Sequence, residues 1–86
     1  MNNKYKILVV EDDRSVSSML QTMLDVSPYD CISAETCCQG LMMLGSHMPD
    51  LVILDLGLPD KDGMEFIRAA RRNNTVPILV LSARNS

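Results

Sequence analysis

Aromatic residues are nearly missing: the chain has two tyrosines, one phenylalanine and no tryptophan in 86 residues. It also has no basic stripe, and its net charge is −3. Base stacking and phosphate tracking both lack material, which argues against a nucleic-acid-binding surface. Long apolar runs are missing too. None approaches the roughly 20 residues that cross a bilayer. The first apolar run is short and comes after polar and charged residues, unlike a signal peptide. The three cysteines, Cys31, Cys37 and Cys38, are odd in number and not spaced as disulfide partners. Reduced thiols and a cytoplasmic location are the expectation. Adjacent Cys37 and Cys38 have no second Cys/His cluster with which to build a soft-metal site. No repeat, linker or low-complexity segment breaks the chain, so residues 1–86 form one small domain at most. Its hydrophobic share of 47% supports a core, though a marginal one at this length.

What is present is organised around Leu51-Val52-Ile53-Leu54-Asp55, an apolar run that ends in a carboxylate. Such a run followed by Gly57 and Pro59 reads as a strand buried on both faces. Open α/β sheets bind ligands at the carboxyl ends of their strands, and that is where Asp55 falls. Alone, Asp55 reads rather as a residue that caps or turns the loop after the strand. A second strand changes this, because residues 6–10 run directly into Glu11-Asp12-Asp13. Neighbouring strands ending this way gather at least three carboxylates, which resist joint ionisation unless a cation sits among them. Mg²⁺, a hard ion taking oxygen ligands, is the expected occupant.

The remaining elements come in order. Asp13 caps a helix over 14–26, with Val16, Met19, Leu20, Met23 and Leu24 on one inward face. Residues 27–30 break it, and 31–34 form a short strand. Thr36 and Gln39 resemble a capping box for a second helix, which turns Cys37, Leu41, Leu44 and Met48 inward. The third strand covers 51–56. A third helix covers 63–73 and buries Phe66, Ile67 and Ala70. A fourth strand covers 76–82, with Pro77 tolerated near its start. Strand and helix alternating in this way imply a parallel sheet with right-handed crossovers.

The remaining motifs divide. Asp60-Lys61-Asp62-Gly63 fails as a calcium loop, because the positions held by Leu58 and Ala69 would need acids. It reads instead as a loop in which Gly63 supplies a backbone conformation that other residues resist. Asp13 reads as a helix cap, whereas Glu11 and Asp12 read as site residues. Ser82 ends the fourth strand beside small Ala83, where its hydroxyl could reach a group attached to Asp55. His47 reads as a surface residue near a helix end. The seven methionines read as core filler.

Taken together, Val9-Val10-Glu11-Asp12, Leu54-Asp55, Leu58-Pro59, Asp62-Gly63 and Pro77 through Leu81-Ser82-Ala83 resemble the receiver domain of two-component response regulators. Residues 54–66 are most similar to the OmpR/PhoB class and its KdpE-like members. The resemblance implies a flavodoxin-like (CheY-like) α/β fold with a parallel sheet. That fold would be incomplete here: three strand-helix units and a fourth strand, without the last helix-strand-helix. Residues 1–86 would be the N-terminal portion of the domain. It implies Asp55 as phosphoacceptor. Asp12, Asp55 and the backbone carbonyl of Gly57 would ligate Mg²⁺, with Glu11 as the second acid and Ser82 as the switch hydroxyl. A sensor histidine kinase would be the phosphoryl donor. A DNA-binding output domain in the parent protein would be the effector. The chain would be no enzyme toward a separate substrate, although it would assist its own phosphorylation and dephosphorylation. Family members carry a basic residue at the end of a fifth strand. Lys4, Lys6 and Lys61 do not match it, so weak switching and self-association through an uncovered sheet edge and face are expected. Two alternatives stay open. One is a Mg²⁺-dependent phosphatase using Asp55 as nucleophile, although Gly57 stands where many such enzymes place a second Asp. The other is an unphosphorylated pseudo-receiver that only binds partners.

Overall fold

The computed structural model describes residues 4–26, 28–56 and 62–81. Strands β1 (Tyr5–Val10), β2 (Tyr29–Ala34), β3 (Leu51–Asp55) and β4 (Ile78–Leu81) alternate with helices α1 (Arg14–Leu24), α2 (Cys37–His47) and α3 (Gly63–Arg71). The sheet is parallel throughout, in the order β2-β1-β3-β4. The expected alternation therefore produces the expected α/β sheet, with β1 and β3 at its centre.

Both central strands are buried on both faces. On one face Leu8, Val10, Val52 and Leu54 join Cys37 and Leu44 of α2 and Phe66 and Ala70 of α3. On the other, Ile7, Val9, Cys31 and Ile53 pack against Leu20 and Leu24 of α1. Two continuous apolar strands are what this two-sided covering requires. Backbone pairing sets their relative register, with Val10 beside Leu54. Asp50 clamps the opposite end: its N–H donates to Lys6 O at 2.7 Å, and its Oδ2 accepts from Lys6 N at 2.7 Å.

Element ends differ from expectation for local reasons. Helix α1 stops at Leu24, where Asp25 caps it, and the Asp25 carboxylate then accepts from Cys31 N. Strand β2 starts at Tyr29, earlier than expected, because it pairs with β1 along its full length. Residues 76–77 do not begin β4. Val76 is instead held by Asn74 Oδ1, which accepts from its N–H, and by Arg71, whose guanidinium donates to its carbonyl at 2.7 Å.

Five described methionines, Met19, Met23, Met42, Met48 and Met64, are exposed, so most of the methionines are not the core filler expected. Met19 and Met23 are exposed, while α1 rests on the sheet through Ser17, Leu20 and Leu24. Met48 is the C-cap of α2, in the left-handed region at φ 50, and is 75% exposed. Gly63 also differs from expectation. No described glycine has positive φ. Gly63 is needed for space, since a Cβ there would stand 2.8 Å from the backbone Cα of Leu56.

Candidate functional site

The register of β1 and β3 determines which side chains meet beyond the strand ends. Val10 and Leu54 are partners, so Glu11 and Asp55 emerge side by side at the same sheet edge. Glu11 N donates to Ala34 O at 2.9 Å, which ties the end of β1 to β2. Asp12 comes next, at the turn into α1. One carboxylate oxygen from each of Glu11, Asp12 and Asp55 lies within 4.8 Å of the others. Glu11 and Asp55 are half-buried and Asp12 is exposed, so the cluster opens to solvent on one side.

The Asp13 side chain takes no part. Its Oδ1 accepts from Ser15 N at 2.9 Å, Ser15 Oγ at 2.7 Å and Val16 N at 3.3 Å. These bonds to the charged form hold its carboxyl below the usual range. The helix-cap reading of Asp13 is therefore the observed one. Asp62 plays the same part for α3, with Oδ1 accepting from Met64 N at 3.1 Å.

Electrostatics set Glu11 apart. Burial, followed by the hydrogen bond that its protonated form donates to Asp55 and by the Asp55 charge, pushes its carboxyl from 4.5 up to about 7, against the opposing bond from Asp13 N. An acid raised this far by burial and by neighbouring acids marks a candidate functional site. Three oxygen donors, closely spaced and partly desolvated, suit a hard divalent cation such as Mg²⁺. The chemistry of the donor set therefore fits the ion.

Gly57 and Ser82 lie outside the described residues, as do Leu58, Pro59, Lys61 and Ala83. Lys6 is at the far end of β1, where Nζ donates to His47 O at 3.1 Å. Sequence reasoning missed Arg14 and Glu35, which line a polar hollow of about 220 Å³ beside Glu11 and approach each other at 3.4 Å. Their only sequence signal was position, one at the start of α1 and the other just past β2.

The family model for the response regulator receiver domain matches residues 7–86. The KDP operon transcriptional regulatory protein KdpE of Escherichia coli K12 is 47% identical over 79 residues, covering 92% of this chain and 35% of that protein. The transcriptional regulatory protein PhoP of the same organism is 40% identical over 82 residues, covering 94% of this chain and 37% of that one. The chain thus spans about a third of the length of the curated relatives it matches. Among solved structures, the beryllofluoride-activated N-terminal receiver domain of Klebsiella pneumoniae RstA aligns with TM-score 0.87 and 33% identity, covering 94% of this chain and 69% of that one.

Proposed function

This chain belongs to the response regulator receiver domain family, and from that premise we propose that Asp55 is its phosphoacceptor. The observation that carries this is the convergence of Glu11, Asp12 and Asp55 within 4.8 Å at one sheet edge. Asp55 ends a central strand paired on both sides, and that pairing determines where the backbone presents its carboxylate. In the proposed reaction a carboxylate oxygen of Asp55 attacks the phosphorus of a phosphohistidine on a sensor histidine kinase. The new oxygen–phosphorus bond forms as the phosphorus–nitrogen bond breaks, and the histidine nitrogen keeps the electron pair.

Phosphoryl transfer asks for alignment and charge neutralisation more than for covalent help. Glu11, Asp12, Asp55 and the Gly57 carbonyl would hold Mg²⁺. When bound there, such an ion would supply charge neutralisation for the transferring group. Glu11, whose carboxyl is raised to about 7 chiefly by burial, would hold a proton at this edge near neutral pH. Ser82 would donate its hydroxyl to the phosphoryl group and so bias a two-state surface. The activity is stoichiometric self-modification, with no turnover of a separate substrate. The relatives are transcription regulators by name. A DNA-binding output domain in the parent protein and a cytoplasmic setting are therefore part of this reading.

Beryllofluoride with Mg²⁺ tests it, followed by fluorine NMR on wild type and Asp55→Asn. The expected result is one bound adduct in wild type and none in the variant. An adduct that persists in Asp55→Asn removes Asp55 from the role. Repeated turnover of a small phosphate ester would favour the phosphatase reading instead.

A further inference from the structure

Away from the acidic edge, α2 and α3 leave a cleft between them. Its two sections measure about 260 and 340 Å³ and share Leu41, Ala69 and Arg72. The floor is apolar: Leu44 and Ala70 are buried, and Leu41 and Ala69 are half-buried. Gly45 keeps one wall low. It sits inside α2, where glycine costs about 1 kcal/mol relative to alanine, and yet a Cβ there would meet nothing within 4 Å. The fold does not need that glycine to be small.

The rim is cationic. Arg68 and Arg72 stand one turn apart and are exposed. Among the described residues neither guanidinium has a carboxylate or carbonyl partner, whereas Arg71 is spent on Asn74 O and Val76 O. Among the described lining residues Glu65 is the one carboxylate. Two unpaired guanidinium groups above an apolar floor, on a chain of net charge −3, select for a partner of the opposite sign. Arginine pairs with carboxylates in a two-bond fork and is enriched where proteins meet.

We propose that the α2–α3 cleft is a docking groove for an acidic amphipathic segment of a partner protein. One apolar side chain of the segment lies over Gly45 and Ala69, and its carboxylates meet Arg68 and Arg72. A free anion would leave the apolar floor unused. A nucleic acid would face an acidic molecule overall.

The test is an NMR titration of the isotope-labelled chain with a synthetic peptide carrying leucines at i, i+3 and i+7 flanked by glutamates. Saturable shifts confined to residues 41–45 and 65–74 are expected. Gly45→Leu fills the groove from a position with open space, and Arg68→Glu with Arg72→Glu reverses the rim. Each should weaken binding by about tenfold or more. If the double charge reversal perturbs folding, Gly45→Leu decides alone. The proposal is overturned by an absence of saturable shifts or by shifts centred on Leu79 to Leu81. It is overturned equally by unchanged affinity in Gly45→Leu, or by equal binding of a leucine-free polyglutamate.

Discussion

Glu11 is half-buried beside two other carboxylates, and burial first, then Asp55, raises its proton affinity. Its carboxyl ionises near 4.5 when unperturbed and near 7 in the folded chain. Between those values the folded state holds a proton that the unfolded state has lost. Stability therefore falls as pH rises through that window, and the loss is complete above it. Without divalent cations, thermal melts should show a lower Tm at about pH 8 than at about pH 5, with Mg²⁺ restoring part of the difference. Asp55→Asn removes two of the causes but not the burial, so the pH dependence should shrink without vanishing. A cation-free Tm indifferent to pH across this range would contradict the assignment. The acids themselves were legible in the sequence, because each comes after an apolar run. The raised affinity of Glu11 was not, since it depends on how closely Asp55 approaches and how much water is excluded.

At the scale of elements, α2 carries two glycines with opposite meanings. A Cβ on Gly40 would stand 3.0 Å from both Phe66 and Val10, which are fully buried and have nowhere to move. Gly40→Ala should destabilise by about 1–3 kcal/mol through overpacking. Gly45→Ala meets open space and should stabilise by about 1 kcal/mol through helix propensity. Denaturant unfolding of the two variants reads both signs at once. Thr36→Ala should cost about 1 kcal/mol, because Thr36 Oγ1 accepts from Gln39 N at 3.1 Å at the start of α2. That cap was legible from the Thr36–Gln39 spacing, although the Gln39 side chain accepts from Glu35 N, one residue before the cap. The face of α1 was misread at Met19 and Met23. Periodicity gives an apolar stripe but not the angle at which a helix leans on its sheet, and α1 rests on β1 and β2 through a stripe that includes Ser17. The start of β4 was misread because Arg71 and Asn74 hold Val76 from outside the strand, a contact no strand pattern encodes.

For the molecule as a whole, the sheet is covered unevenly. Helices α2 and α3 share one face, while among the described helices only α1 covers the other, and among the described strands β4 forms an edge. On β4, Leu79 is 52% and Leu81 38% exposed. An apolar edge strand of this kind invites pairing with another chain. Sedimentation of the 86-residue chain should show self-association that grows with concentration and is reduced by Leu79→Lys. A monomer at all concentrations would contradict this. The parallel order was legible from the alternation of strand and helix. That β1 and β3 are neighbours was an inference, and every claim about the acidic edge depends on it. The most direct measurement is site-localised mass spectrometry after treatment with acetyl phosphate and Mg²⁺. A single phosphoryl group on Asp55, lost in Asp55→Asn and diminished in Asp12→Asn, is the predicted result. A phosphoryl group carried elsewhere, or acquired equally by the Asp55→Asn chain, would contradict the account.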